Sequence, residues 1–225
     1  MSDADEWKKL IEEIANCRKC ELHKYRKNPV PGEGNTQLGV MLIGEAPGKN
    51  EDEQGRPFVG AAGQFLNELL KEARLRREDV YITNVVKCRP PNNRDPSDEE
   101  IEACLPFLRK QIRLVKPKVI IALGRHAGRT LFRLAERSWI NMKYHHGKVY
   151  RVRVEDVEVV LVPTYHPAAA LYNPQLKEEL VKDFRESVRQ QVEILQTSME
   201  KTRKKTLLDF IVNENSTNKK SEEVE

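Results

Sequence analysis

The chain is predicted to be an α/β protein built on a mainly parallel sheet, and three features of the sequence say so. Residues 40–43 and 119–123 are short, continuous apolar runs, and 80–86 reads as a further buried-type strand, the pattern of strands buried on both faces. Helical patterns follow these runs, and strands alternating with helices make parallel sheets. Finally, three strand ends break into polar or glycine-rich chemistry: 44–48, 84–89 and 164–167. In open parallel sheets ligands bind beyond the carboxyl ends of the strands, so these ends are expected to share one site.

In chain order, residues 4–16 read as an amphipathic helix, with Trp7, Leu10, Ile11 and Ile14 at helical spacing and acids in the first turn. It runs into Cys17-Arg18-Lys19-Cys20, then a Pro/Gly loop at 29–34. The first strand ends in Gly44-Glu45-Ala46-Pro47-Gly48, and a polar loop continues to Gly55. Residues 58–63 lead into a helix with Phe65, Leu66, Leu69 and Leu70 on one face. Ser97 and Glu100 form a capping box that opens a helix from 98 to about 115, and Cys104 lies on it. The 119–123 run ends in Gly124 before a helix from 125 to about 134. Segments 148–154 and 157–162 flank Glu155-Asp156 and suggest a hairpin whose second strand delivers Thr164, Tyr165, His166 and Pro167. Residues 175–197 form a long amphipathic helix. This places one domain at 1–197 and a charged tail, expected to be flexible, at 198–225.

A length of 225 residues with 39% hydrophobic content suits one large domain. A charged fraction of 33% fits adaptation to heat. The net charge of +4 permits a nucleic-acid partner without requiring one. There is no apolar run long enough for a bilayer and no signal-peptide pattern, so a cytoplasmic location is expected, where structural disulfides are uncommon. The four cysteines then read as ligands. A CxxC pair, Cys17 and Cys20, with Cys88 and Cys104 makes a complete four-thiolate set for zinc or an iron–sulfur cluster. Spacing alone leaves the metal open.

The other candidates are single residues. Asn84 sits at a strand end, with a side-chain amide that can donate and accept at once. Gly44 lets backbone approach a ligand, and neighbouring Glu45 suits a catalytic or positioning carboxylate. Phe58 is either a staple for the next helix or a stacking platform for a planar ring. His166, pinned by Pro167, suits proton transfer or donation to a developing anion better than His23, His126, His145 or His146. Lys87, Arg89, Arg94, Arg125, Lys143 and Lys148 would supply phosphate contacts.

Taken together, Gly44–Gly48, the 55–60 segment GRPFVG, the 83–91 segment TNVVKCRPP, the 92–96 segment NNRDP, the 166–169 segment HPAA and the four cysteines closely resemble the family 4 uracil-DNA glycosylases. The resemblance runs from about Cys17 to Leu195. It implies a three-layer α/β/α sandwich, a 4Fe-4S cluster on Cys17, Cys20, Cys88 and Cys104, and hydrolysis of the uracil–deoxyribose bond in single- or double-stranded DNA by a monomer. It implies further that Gly44, Glu45 and Ala46 contact the base, Phe58 stacks on it, Asn84 reads its O4 and N3–H, and His166 donates to O2. Better-known uracil glycosylases carry an aspartate in GQDPYH to position water, and Ala46 stands in its place here, as is usual for family 4. Glu45 is assigned that role, with Glu51 and Asn93 as the other polar groups nearby. Lys87, Arg89 and Arg94 are expected to face DNA, with Leu171 and Tyr172 placed to wedge into the duplex. The 204–211 segment resembles a sliding-clamp (PCNA) binding peptide anchored by Leu207 and Phe210, with Lys204 and Ile211 as departures from the usual form. Two alternatives remain open: a glycosylase for another damaged base, and a non-enzymatic iron–sulfur or zinc nucleic-acid-binding module.

Overall fold

A computed structural model describes residues 2–202 and 204. The elements, in order, are α1 (Asp3–Ala15), β1 (Glu33–Gly34), β2 (Val40–Gly44), α2 (Lys49–Gln54), α3 (Ala61–Glu72), β3 (Tyr81–Asn84), α4 (Asp98–Val115), β4 (Val119–Leu123), α5 (Arg125–Leu134), α6 (Met142–His145), β5 (Tyr150–Val154), β6 (Val157–Thr164), α7 (Pro167–Ala170) and α8 (Pro174–Asp183). The expected clamp anchors Leu207 and Phe210 lie outside the described residues.

One six-stranded sheet has the order β1-β3-β2-β4-β6-β5. The four inner strands run parallel, and β1 and β5 are antiparallel edges. The α/β architecture with a mainly parallel sheet is therefore as expected. The chain moves from β2 out to β3 and then back to β4 on the other side of β2, which makes β2 the switch point where a crevice opens.

Alternate strand residues feed two cores. Met41, Ile43, Ile120 and Ala122 pack with Leu105, Leu108, Ile112 and Leu131 of α4 and α5. Val40, Leu42, Ile121 and Leu123 pack with Leu66, Leu69 and Leu70 of α3 and with Phe184, Val188 and Val192. Each such buried side chain contributes about 1.5–3 kcal/mol, so both layers of helices are held by the same strands.

The boundaries differ in several places, and the polar loop expected to run to Gly55 contains helix α2. The strand expected over 80–86 closes at Asn84, because Val85 and Val86 instead donate to the Gly44 and Glu45 carbonyls (2.9 and 3.1 Å) and lace the segment to the turn after β2. The loop at 29–34 contains the short edge strand β1. The last helix passes through a π-helical stretch at Phe184–Val188 and continues to residue 202, beyond the expected end at 197.

Candidate active site

Parallel register puts the strand ends level: Gly44 pairs with Asn84, and Leu123 with Thr164. The residues that follow these ends line one cavity of about 580 Å3, among them Glu45, Ala46, Phe58, Asn84, Gly124 and His166. Glu45, Ala46, Phe58, Asn84 and His166 are thus brought together as expected. Gly44 stands behind the lining, where a Cβ would lie 2.4 Å from Asn84 Oδ1 and 2.6 Å from Phe58 Cζ. Only glycine leaves room for those two side chains.

Asn84 is 1% exposed, and its Oδ1 has no hydrogen-bond partner among the described residues. A buried acceptor without a donor costs about 1–3 kcal/mol, so the site holds a place for a donor from a ligand. Phe58 adopts φ 50°, rare for an aromatic residue. Its carbonyl lies so close to α3 that a Cβ on Gly63 would stand 1.8 Å away. The ring stacks beside His166, centroids 5.5 Å apart at 29°.

His166 begins α7, and its Nδ1 accepts the Ala168 N–H at 3.2 Å. That contact leaves the proton on Nε2. Enclosure by protein lowers the imidazole to about 4, only partly opposed by Glu51. His166 is therefore a neutral ring with one N–H to give. Glu51 is the residue the sequence undervalued. Its Oε1 accepts the Val59 and Gly60 N–H groups at 2.8 Å each, and its Oε2 accepts that of Gly48 at 3.1 Å. It joins the turn after β2 to the Phe58 turn, and with its oxygens so engaged it is a scaffold for the pocket. The signal was present as Gly48 followed three residues later by Glu, the spacing of a helix cap.

Glu45 differs, since none of the described hydrogen bonds engages its carboxylate. Burial raises its pKa, His126 and Arg125 lower it, and Asp95 raises it. Its Oε2 lies 3.9 Å from His126 Nε2, which is 3.6 Å from Asp95 Oδ2. Arg125 binds Asp95 directly and donates to His126 Nε2 at 3.3 Å. Sequence reasoning passed over this group, because residues 45, 95 and 125–126 meet only through the fold.

The DNA-facing assignments divide. Arg94 lines the cavity mouth but is held by Glu100 at 2.6 Å. Arg89 donates to Asn93 at 2.7 Å. Tyr172 is 91% exposed, and Leu171 beside it is 41% exposed. Lys87 does not face DNA: it is 1% exposed, and no phosphate can reach it. Its side chain folds back along β3 to buried acceptors, and burial lowers its ammonium to about 7, against the pull of Cys104 and Cys88.

All four cysteines are free and line one recess with Ile14, Arg26 and Phe107. Burial raises the Cys20, Cys88 and Cys104 thiols, the last to about 12. Two donors reach the sulfurs: Arg26 Nη1 lies 3.1 Å from Cys88 Sγ, and the Lys87 N–H 3.2 Å from Cys104 Sγ. Among the described residues, no three of the four sulfurs lie within 4.8 Å of one another.

The amino-acid sequence matches known proteins. The family model of the uracil DNA glycosylase superfamily matches residues 31–189. The type-4 uracil-DNA glycosylase of Pyrobaculum aerophilum is 58% identical over 176 residues, covering 78% of this chain and 90% of that protein. The chain belongs to the type-4 uracil-DNA glycosylase family. The member from Archaeoglobus fulgidus is 51% identical over 176 residues, 78% of this chain and 88% of that protein. A type-5 uracil-DNA glycosylase from Pyrobaculum aerophilum is 34% identical over 190 residues, 71% of this chain and 81% of that protein. Cys88, on the segment that follows β3, lines the cysteine recess, and Asn84 at the end of the same strand lines the strand-end cavity.

Proposed function

We infer that this protein is a monofunctional uracil-DNA glycosylase, which hydrolyses the bond between uracil and deoxyribose and so starts repair of deaminated cytosine. The observation that carries this reading is the pairing in one cavity of a buried Asn84 amide, whose Oδ1 lacks a donor, with a neutral His166. A uracil inside a duplex is out of reach and is flipped into the pocket. Phe58 stacks on the ring. Asn84 Oδ1 accepts N3–H and its amide donates to O4; cytosine presents the opposite pattern at both positions.

As the N1–C1′ bond breaks, the electron pair leaves with uracil and charge collects at O2. His166 Nε2–H donates there, a contribution of about 3–4 kcal/mol for one well-placed donor. Glu45, whose carboxylate no described hydrogen bond engages, orients the water that forms the new O–C1′ bond and takes its proton. Leu171 and Tyr172 fill the space the flipped base leaves, and Arg89 and Arg94 lie towards the phosphates. Cleavage of oligonucleotides carrying uracil, hypoxanthine or thymine mismatches, followed by alkali, tests this. Strand scission at uracil is expected, and none at uracil would defeat the reading. Glu45→Gln with near-normal single-turnover cleavage would remove Glu45 from it.

The cysteine set supports a 4Fe-4S cluster on Cys17, Cys20, Cys88 and Cys104. N–H donors to the sulfurs, here from Arg26 and the Lys87 backbone, tune iron–sulfur clusters. When bound, the cluster supplies a rigid four-thiolate link between α1, the segment after β3, and α4. Brown colour, visible absorbance and iron content test it, and oxidation state is expected to leave DNA affinity at fixed salt unchanged. The 204–211 segment is proposed to dock on a sliding clamp. A clamp pull-down should lose the chain on Leu207→Ala/Phe210→Ala, and equal capture would end that proposal.

A further inference from the structure

Lys87 touches both the cysteine recess and the residue that reads the base. Its backbone N–H donates to Cys104 Sγ at 3.2 Å. Its Nζ lies 2.5 Å from the Asn84 carbonyl, 2.7 Å from Thr83 Oγ1 and 2.6 Å from Gln111 Oε1. The neighbours dictate the roles of these atoms. The Pro31 carbonyl can only accept, and it takes the Thr83 hydroxyl at 2.7 Å and Gln111 Nε2 at 2.6 Å. Gln111 Nε2 also reaches Tyr81 OH at 3.0 Å. Thr83 therefore turns a lone pair, and Gln111 its Oε1, towards Lys87. With the Asn84 carbonyl that makes three acceptors around one nitrogen, which only the three N–H bonds of an ammonium satisfy.

A buried cation is costly unless a counter-charge lies near. Among the described residues no carboxylate pairs with Lys87. A cysteine that ligates a metal does so as thiolate, and two of the expected ligands adjoin Lys87: Cys88 follows it in the chain, and Cys104 accepts its N–H. Helix α4 carries both Cys104 and Gln111, so it supplies an expected ligand and an acceptor to the same lysine. On the other side, the Lys87 carbonyl accepts the Val30 N–H at 2.8 Å, which fixes loop 29–31 to the same point.

We propose that Lys87 is a positioning residue for uracil recognition: its Nζ clamps the main chain at Asn84 while its backbone N–H is tied to Cys104. Uracil affinity is then coupled to the cysteine centre through one residue. The inference rests on Asn84 reading the base.

The test uses the iron-loaded, full-length protein and two variants, Lys87→Met, close in length but uncharged, and Gln111→Leu, which removes one acceptor away from the pocket. Free uracil is titrated as product inhibitor, a uracil-free duplex is titrated for affinity, and iron per chain and thermal midpoint are measured alongside. Lys87→Met is expected to weaken inhibition by uracil tenfold or more while duplex affinity stays within twofold. Gln111→Leu is expected to move uracil inhibition the same way, by less. If Lys87→Met loses iron, Gln111→Leu with iron intact decides: weakened uracil inhibition upholds the proposal, and wild-type inhibition overturns it. Wild-type inhibition in both variants overturns it too, as does a Lys87→Met protein that loses duplex affinity and salt dependence but not uracil binding, the signature of a phosphate contact. Asn84→Ala separates the two readings, because wild-type uracil inhibition in that variant refutes the role of Asn84 itself.

Discussion

Gly44 and Asn84, paired in register on neighbouring parallel strands, share one volume: the place a Gly44 side chain would fill is taken by the Asn84 amide, 2.4 Å from an ideal Cβ position, and by the edge of Phe58. A side chain at the tip of β2 would displace the Asn84 amide that leans over it. Gly44→Ala is therefore expected to displace Asn84 and Phe58 together. Overpacking of this kind costs about 1–3 kcal/mol. Single-turnover cleavage should fall at least 100-fold, and thermal unfolding should show a matching, smaller loss of stability. Wild-type cleavage by Gly44→Ala would show that the amide does not need that position.

Glu51 makes a second, separable prediction. It accepts three backbone N–H groups and touches no other side chain in the described hydrogen bonds. Glu51→Gln keeps the size but replaces one acceptor oxygen with a donor that faces N–H groups. Charge-assisted bonds of this type contribute about 1.5–3 kcal/mol each. The variant is expected to lose several degrees in Tm and to weaken uracil inhibition, because the Gly48 and Phe58 turns separate. Loss of the chemical step with Tm and uracil inhibition intact would instead give Glu51 a direct part in the reaction.

The pH dependence follows from two opposite shifts. His166 is lowered from the ordinary histidine value of about 6.5 to about 4 in the folded protein. Between those values the unfolded chain binds the proton and the native chain does not. The stability this contributes is complete above pH 6.5 and is lost as pH falls towards 4, a total of about 3 kcal/mol. Urea midpoints from pH 7 to pH 4 should drop less for His166→Asn than for the wild type. Glu45 is raised, chiefly by burial, and must be ionised to take a proton from water. The acid limb of kcat/KM should belong to Glu45, with no inflection from His166 near pH 6.5.

Tyr172, 91% exposed and three residues beyond the pocket-lining Ala169, has almost no packing to lose. Tyr172→Ala is expected to shift stability by no more than about 0.5 kcal/mol. Excision of uracil from duplex DNA should fall several-fold relative to excision from single strands, where no stacked neighbour closes over the vacated place. Equal losses on both substrates would exclude a wedge.

Much of the site is legible in the amino-acid sequence. Asn84, Phe58, His166 and the four cysteines stand in segments whose character changes within a few residues, from apolar strand to polar turn, and local sequence records such changes. Lys87 shows the limit. Next to Cys88 and Arg89 it reads as one more surface cation, yet it lies in the core, because the turn after β3 sends its side chain back along the strand to Thr83, Asn84 and Gln111. The Glu45, Asp95 and His126 group escaped for the same reason, since Glu45 and Asp95 come from two strand-to-helix connections and His126 from the first turn of α5.

The sequence by itself determined the parallel sheet, the strand ends that carry the chemistry, and the residue types able to read a base and ligate a cluster. Periodicity and turn chemistry are local, and they survive without the fold. The tertiary structure alone decided which charges are buried and what they face. Asn84 Oδ1 is left without a donor, His166 is held neutral, and Lys87 is drawn into the core between the cysteines and the base pocket. Those states depend on desolvation and on partners from distant segments, and no single stretch of chain contains both.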